Sequence, residues 1–176
     1  MGTDKAFLRL GNDLLIERQL RCLRESGATE FLISGRADAD YSRFAGTVVR
    51  DDFPKSGPLA GVTAALKASS SSLLFVLAVD MPRMTPAMIL KILSHCDNGA
   101  GCVPFDGQRF QPLGAAYPIN LLPLAEHMVS LGRFSMQDFV AQAVSEGDLK
   151  TLHLEQADLT YFTNINLAQE WAELSI

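Results

Sequence analysis

The sequence predicts an α/β fold with three layers, in which helices cover both faces of a doubly wound, mostly parallel sheet. Short apolar strands alternate with helices over residues 13–95, which is the spacing typical of such folds. The strands are almost continuously apolar, as expected for a sheet that is covered on both faces. A chain of 176 residues that is 48% apolar can form one substantial core. We therefore expect residues 1–176 to form a single domain.

The first half of the chain supplies the alternating elements. A helix begins after a cap at Asn12 or Asp13 and stops at Gly27. Thr85 followed by Pro86 predicts the start of another helix, because threonine caps a helix and proline suits its first position. The predicted strands and helices of this half are strands 30–34, 46–51 and 73–79 and helices 59–69 and 86–95.

In the second half of the chain, the alternation of strands and helices gives way to a different pattern. Residues 102–110 are predicted to form a hairpin with Asp106-Gly107 at its turn, and residues 113–117 are predicted to form a strand. We expect one strand of the sheet to be antiparallel. Further elements are predicted as helices 119–131 and 135–145, a strand at 150–154 and a last helix at 167–174.

Composition excludes several classes of function. A net charge of −5 argues against a surface for nucleic acid, and no apolar run approaches the 18 residues of a membrane span. No secretory signal is visible at the N-terminus. Cys22, Cys96 and Cys102 cannot all pair and form no C-x-x-C motif, which predicts reduced thiols in the cytoplasm. His95 beside Cys96 lacks the spacing of a zinc site, so buried thiols are the simpler interpretation.

Three predicted strands end in polar residues. Ligands of open parallel sheets bind beyond the carboxyl ends of the strands, which here carry Ser34 and Arg36, then Asp51 and Asp52, and then Asp80. Asp80 follows a core strand directly. Its carboxylate could hold Mg²⁺, which takes one or two protein carboxylates plus substrate phosphate oxygens. It could equally cap the next turn, and spacing alone does not decide between these interpretations.

Two further segments are candidates for ligand contact. In "SGPLAGV", residues 56–62, Gly57 and Gly61 would let a ligand approach the backbone at a helix start, although a tight strand-to-helix turn would look the same. Lys5 could neutralise phosphate as a point charge, or it could be an ordinary surface lysine. No segment matches a P-loop or a G-x-G-x-x-G motif.

Taken together, six segments resemble the molybdenum cofactor guanylyltransferases, which belong to the sugar-nucleotide-like nucleotidyltransferases. In order they are "MGTDKAFLRLG", "ISGR", "VVRDDFPKSGPLAG", "VLAVDMPRMTP", "QPLGAAY" and "FTNINLAQEW". The resemblance covers essentially the whole chain. It implies an enzyme that couples GTP to molybdopterin, giving the guanine dinucleotide form of the cofactor and pyrophosphate.

The resemblance also assigns roles to residues. Lys5 faces the nucleotide phosphates, Asp51 contacts the nucleotide and Asp80 binds Mg²⁺, while the adjacent Asp52 could take the place of Asp51. The loop that lies against the base and ribose consists of Gly57, Pro58, Leu59 and Gly61. On the pterin side the resemblance implies Asn164 and Asn166. Asn166 could equally cap the last helix, and Leu167 stands where the family usually has Thr.

One departure from the family is large. The family pattern resembles L-x-G-G-x-S-x-R-M-G-x-D-K, and this sequence begins at its M-G. The first strand and its glycine-rich loop are therefore missing. We expect the chain to be N-terminally incomplete, or else to be a truncated relative that cannot catalyse. Because the first strand lies near the middle of such a sheet, we expect a gap there with unpaired strand edges.

Other functions remain open at this point. The chain could be a nucleotidyltransferase that uses CTP or a sugar phosphate, or a non-catalytic pterin-binding relative. The expected partners are GTP and molybdopterin, with molybdoenzymes or their chaperones in addition, and neither nucleic acid nor a membrane is expected. Mg²⁺ is the expected cofactor.

Overall fold

A four-stranded sheet lies at the centre of the fold, which we describe from a computed structural model. The structure describes residues 4–36, 38–50, 57–97 and 99–164. In chain order its strands and helices are β1 (Arg9–Leu10), β2 (Asp13–Leu14), α1 (Leu15–Glu25), β3 (Leu32–Ser34), β4 (Thr47–Val49), α2 (Pro58–Ala68), β5 (Leu73–Leu77), α3 (Pro86–Leu93), β6 (Gly101–Phe105), β7 (Gly114–Pro118), α4 (Leu122–Ser130), α5 (Met136–Glu146) and β8 (Leu149–His153). Short 3₁₀ helices occur at Lys5–Phe7, Ile119–Leu121 and Asp158–Phe162.

The strand directions confirm the predicted topology. The central sheet has the order β5-β7-β6-β8. β7 is antiparallel to both β5 and β6, and β6 is parallel to β8, so β5, β6 and β8 all run the same way. β3 and β4 form a separate parallel pair, and β1 with β2 forms a small antiparallel pair. Within the described strands the larger sheet is mostly parallel, with β7 as its one antiparallel strand.

Helices cover both faces of this sheet and complete the three predicted layers. On one face α2, α4 and α5 pack against inward residues such as Val103 and Tyr117. On the other face α1 and α3 pack against Cys102 and Ala116. Successive strand residues therefore point to opposite faces, as the pleat requires. A third, smaller core joins α1, β3 and the segment around Phe44.

The predicted start of the first helix is wrong. α1 begins at Leu15, and its capping residue is Leu14, which makes no side-chain cap. Glu17 accepts the Leu14 N–H at 3.0 Å, while Asp13 pairs with Arg21 at 2.5 Å. Asp13 could not cap because it lies in β2, where backbone pairing with Leu10 fixes it. Thr85, by contrast, caps α3 as predicted, by accepting the Met88 N–H.

The hairpin was predicted correctly at its turn but not at its second strand. The Asp106 carboxylate accepts hydrogen bonds from the N–H groups of Gln108 and Arg109, and these bonds stabilise the turn. Beyond the turn only an isolated bridge joins Phe105 to Phe110, and regular pairing resumes at β7. The antiparallel partner of β6 is therefore residues 114–118 rather than 108–110.

The three cysteines are free thiols, as predicted. Burial raises the pKa of Cys22 to about 11 and that of Cys102 to about 12, so both stay protonated at neutral pH. No helix of the described residues is long and apolar enough to cross a membrane. Asp51, Asp52, Asn166, Leu167 and the predicted helix 167–174 lie outside the described residues.

The expected gap separates the two parts of the sheet. No described strand lies between β3 and β5, and the two sheets share no ladder. A cleft of about 640 Å³ opens there, and both strands line it along their lengths. We call this space, bounded by Leu32–Ser34 and Leu73–Leu77, the β3–β5 cleft.

Candidate functional site

Lys5 and Asp80 meet at the carboxyl end of β5. Lys5 Nζ lies 2.9 Å from Asp80 Oδ2, although the two residues are 75 positions apart in the sequence. Lys5 begins the 3₁₀ turn Lys5–Phe7, which Asp4 caps by accepting the Ala6 N–H at 2.9 Å. Asp80 is the third residue after the end of β5. The fold thus brings together the two residues that the sequence assigned to phosphate and metal.

This ion pair is accessible to a ligand. The side chain of Lys5 is 41% exposed and that of Asp80 is 20% exposed. A pair so open to solvent contributes about 0–1 kcal/mol to stability. Its contribution to folding is therefore small, while its position at the carboxyl end of a parallel strand is where ligands of such sheets bind.

Helix α1 holds the backbone on both sides of Asp80. Gln19 Nε2 donates to the Met81 carbonyl at 2.8 Å and to the Ala78 carbonyl at 3.3 Å. Arg18 Nε donates to the Pro82 carbonyl at 2.7 Å. Sequence reasoning missed this contribution of α1, because no local pattern indicates that helix residues reach a loop some 60 positions away.

The turn that carries Lys5 is also fixed to the end of β3. Tyr41 Oη donates a short hydrogen bond to Asp4 and accepts the Arg36 N–H at 3.1 Å. Burial, together with the bond to Asp4, raises the pKa of Tyr41 to about 12, so the phenol stays protonated and remains a donor. Asp4 and Tyr41 were not predicted. The one local signal in the sequence was the position of Asp4, since aspartate favours the capping position at the start of a helix.

The start of α2 forms another part of the site. Gly57 precedes the helix with φ at +86°, a conformation that favours glycine, and Pro58 takes the first helical position. Gly61 lies so close to β3 that a Cβ built there would approach Ser34 Oγ to 2.5 Å. Leu59, the remaining residue of the predicted loop, is fully buried in the core and is not part of the cleft lining.

The predicted site residues fall into two connected groups. Gly57, Pro58 and Gly61 line the β3–β5 cleft together with Ser34 and Arg36. Asp4 and Val79, the sequence neighbours of Lys5 and Asp80, line the same cleft. Lys5 and Asp80 are not themselves part of the lining, so the pair lies next to this space rather than in it. Asn164 is exposed just after the 3₁₀ helix Asp158–Phe162, and the cleft lining does not include it.

The described residues fit a metal ion that takes most of its ligands from substrate. They contain no group of three or more His, Cys, Asp or Glu that could hold a metal by themselves. Asp80 offers a single, partly exposed carboxylate, and Mg²⁺ is commonly held by one or two carboxylates plus phosphate oxygens and water. A self-sufficient protein metal site is thus not present in this part of the chain, whereas a site shared with a nucleotide is compatible with it.

Comparison with known proteins gives consistent matches. Residues 1–147 match the model of the MobA-like NTP transferase domain. A probable molybdenum cofactor guanylyltransferase from Opitutus terrae is 40% identical over 173 residues, covering 97% of this chain and 86% of that protein. A protein of the same description from Pelotomaculum thermopropionicum is 32% identical, covering 94% of this chain and 81% of its own length.

Solved structures agree on the fold. Molybdopterin-guanine dinucleotide biosynthesis protein A from Archaeoglobus fulgidus superposes with a TM-score of 0.73 at 22% identity, covering 99% of this chain and 90% of that one. The 2-C-methyl-D-erythritol 4-phosphate cytidylyltransferase from Thermus thermophilus gives a TM-score of 0.75 at 18% identity, covering 97% of this chain and 92% of that one. Fold and matches together define a nucleotidyltransferase. Within that class, the chain belongs to the MobA-like NTP transferase family, alongside the molybdenum cofactor guanylyltransferases, and the resemblance found in the sequence is confirmed.

Proposed function

We propose that this protein transfers the GMP moiety of GTP to molybdenum-molybdopterin, forming the guanine dinucleotide cofactor and releasing pyrophosphate. The relatives of highest identity reported above carry the name of that activity. The observation that carries the proposal for this chain is the Lys5–Asp80 pair, which places a cation and a carboxylate 2.9 Å apart at the end of β5. GTP and molybdopterin are its substrates, the cytoplasm is its location, and molybdoenzymes or their chaperones receive the product.

Each residue of the pair has a role in this reaction. Asp80 would hold Mg²⁺, which when bound neutralises charge on the phosphate oxygens. Lys5 leaves Asp80 and turns to the phosphates, since its long, flexible side chain is already partly exposed. Gln19 and Arg18 keep the Asp80 loop in one position, so the carboxylate needs little rearrangement when substrate binds.

The remaining predicted residues define the nucleotide side of the proposal. Gly57, Pro58 and Gly61 lie against the base and ribose, where a close approach to the backbone is possible, while Leu59 between them is packed in the core. From the family resemblance, we assign Asp51 to the nucleotide and Asn164 and Asn166 to the pterin.

A second nucleotide is the main alternative. The Thermus neighbour is named as a cytidylyltransferase, so the same fold accommodates CTP chemistry in another protein. Thermal unfolding with Mg²⁺ and GTP, CTP or ATP separates the alternatives. We expect the largest rise in Tm with GTP, and a larger rise with CTP would reassign the substrate.

The proposal is tested with Asp80→Ala, and Asp97→Ala serves as the matched control. Both changes remove an aspartate paired with a lysine, but Asp97 precedes β6 at the opposite end of the sheet, where it pairs with Lys150. We expect Asp80→Ala to lower Mg²⁺-dependent GMP transfer on the order of 100-fold or more, since it removes the anchor of the metal. Asp97→Ala should act like the parent. Transfer by Asp80→Ala within a few-fold of the parent would refute the role given to Asp80.

A further inference from the structure

We propose that Tyr41 is a positioning residue for Lys5. It acts through Asp4, to which its hydroxyl donates a hydrogen bond, and through Phe7, on which its ring stacks. Lys5 lies between these two residues in the sequence, so both contacts hold the short turn that carries it. The inference rests on the phosphate-binding role proposed above for Lys5, and it adds the residue that keeps this lysine in place.

The Asp4 carboxylate uses both of its oxygens. Oδ1 accepts the Ala6 N–H at 2.9 Å, and Oδ2 accepts the short hydrogen bond from the Tyr41 hydroxyl. The first of these bonds caps the 3₁₀ turn Lys5–Phe7, so the orientation of the carboxylate determines where the turn begins. Because each oxygen has its own partner, the carboxylate cannot swing away without losing one of the two bonds. Tyr41 therefore fixes the group that starts the Lys5 turn.

The far end of the same turn contacts the Tyr41 ring. The rings of Phe7 and Tyr41 stack with their centroids 5.4 Å apart and their planes 28° from parallel. The Phe7 N–H donates to the Asp4 carbonyl at 3.0 Å, which closes the turn around Lys5. One side chain thus holds the backbone on both sides of Lys5, while the amine of Lys5 stays partly exposed next to Asp80.

Tyr41 is itself held firmly at the end of β3. Its side chain is buried, and its hydroxyl oxygen accepts the Arg36 N–H at 3.1 Å. A Cβ built at Gly35 would come within 2.5 Å of the ring carbon that carries the hydroxyl, so the ring lies directly against the backbone there. The glycine of the "ISGR" segment, to which the sequence assigned no role, is the residue that leaves room for this ring.

The hydroxyl and the ring of Tyr41 have separable roles. Packing against Gly35 and Phe7 requires only the aromatic ring, which phenylalanine would also supply. The bond to Asp4 requires the hydroxyl as a donor, and burial keeps it protonated by raising the pKa of Tyr41 to about 12. Hydrogen bonds to a charged acceptor are stronger than those between neutral groups, and they impose a direction. The hydroxyl is therefore the part of Tyr41 that positions Lys5.

A double-mutant cycle tests this role in the full chain. Tyr41→Phe keeps the ring and deletes the hydroxyl, and it is combined with Lys5→Ala. We expect Tyr41→Phe to lower kcat/KM for GTP about 10-fold and Lys5→Ala to lower it on the order of 100-fold. The double variant should match Lys5→Ala within about 2-fold, because a positioning residue has no effect once the amine is gone.

Tyr117→Phe is the matched control. It also deletes a buried hydroxyl, but that hydroxyl donates to the Pro112 carbonyl within the largest core, away from the small core that includes Ala6 and Phe7. Assayed well below its unfolding temperature, Tyr117→Phe should keep the kcat/KM of the parent. A loss equal to that of Tyr41→Phe would show that reduced stability alone explains the effect.

Amide hydrogen exchange tests the positioning without any assay of activity. The Leu8 N–H donates to the Lys5 carbonyl at 3.0 Å and so reports on the turn. We expect its exchange to be about 10-fold faster in Tyr41→Phe and unchanged in Tyr117→Phe. Asp4→Ala removes the same bond from the other partner and should speed exchange at Leu8 at least as much, which gives a second variant if Tyr41→Phe fails to fold.

Two results would overturn the proposal. One is unchanged exchange at Leu8 in a Tyr41→Phe variant that is folded by circular dichroism. The other is a cycle in which Tyr41→Phe still costs about 10-fold after Lys5→Ala, since additive losses mean that Tyr41 does not act through Lys5. If the parent transfers no GMP, the function proposed above is at fault for this chain, and the exchange at Leu8 still decides whether Tyr41 holds the Lys5 turn.

Discussion

Neighbouring strands β5 and β7 differ in burial in a way that their sequences do not suggest. β5, "LLFVL", is the more apolar strand, yet all five of its residues are only partly buried. β7, "GAAYP", is buried at every position. The difference lies in their neighbours: β7 has a strand on each side, whereas β5 has β7 on one side and the β3–β5 cleft on the other. Burial of a strand is thus a property of the sheet around it.

The same contrast divides the whole molecule. In the part built on β6, β7 and β8, large side chains such as Leu66, Tyr117 and Phe139 are fully buried. The buried hydroxyl of Tyr117 has its partner there, in the Pro112 carbonyl at 2.6 Å. Around the cleft, the buried amide of Gln19 has one oxygen that no described residue pairs with. In the first part the side chains are closely packed and the buried Tyr117 hydroxyl has a hydrogen-bond partner. In the second part β5 borders an open cleft.

The largest expected effect compares one leucine from each part. Leu66→Ala should lower the free energy of unfolding by about 2–5 kcal/mol, because it leaves a cavity in a closely packed core. Leu74→Ala in β5 should cost about 1 kcal/mol, since its side chain is already partly exposed. Urea unfolding of both variants measures this. Equal losses would show that the two parts are packed alike.

An intermediate effect is expected from buried polar groups. Tyr117→Phe should cost about 1–3 kcal/mol, because it leaves the Pro112 carbonyl without its buried donor. Gln19→Leu should cost no more than about 1 kcal/mol, since the loss of two donated bonds is offset by removing an acceptor that has no partner among the described residues. Chemical unfolding again provides the measurement, and a larger loss for Gln19→Leu would contradict the comparison.

The smallest effect concerns pH and one ion pair of the packed part. Lys91 Nζ donates to Asp158 at 2.7 Å, and this bond lowers the pKa of Asp158 below its usual 3.8. A carboxyl whose pKa is lower when folded stabilises the protein above its unfolded pKa, and this contribution is lost as pH falls through the folded value. We expect stability to decline below about pH 4, with a flatter decline in Asp158→Asn. Identical pH profiles of Tm would exclude a contribution from this pair.

Much of the architecture was predictable because it rests on local patterns. Apolar runs bounded by turn residues located the strands, and Thr85-Pro86 and Asp106-Gly107 marked a cap and a turn that the structure retains. The helix start at Asn12 or Asp13 failed because Asp13 is held in β2. Local capping preference is worth about 1 kcal/mol, and strand pairing overrode it here.

The candidate site also contains residues that the sequence predicted and residues that it did not. Lys5 and Asp80 were predicted through family resemblance and the position of Asp80 after a core strand, and the structure brings them together. Gln19 and Tyr41, which hold the two loops of the site, were not predicted. Their contacts span 62 and 37 positions, and nothing in the residues nearby encodes such partners.

The sequence by itself determined the α/β class and the presence of a carboxylate after β5, because hydrophobic periodicity is a local property of the chain, and its motifs were enough to show the resemblance to the family. Only the tertiary structure decided that Lys5 contacts Asp80, that α1 positions the Asp80 loop, and that β5 borders an open cleft. These features depend on which distant segments become neighbours, and that depends on the packing of the sheet and its helices as a whole.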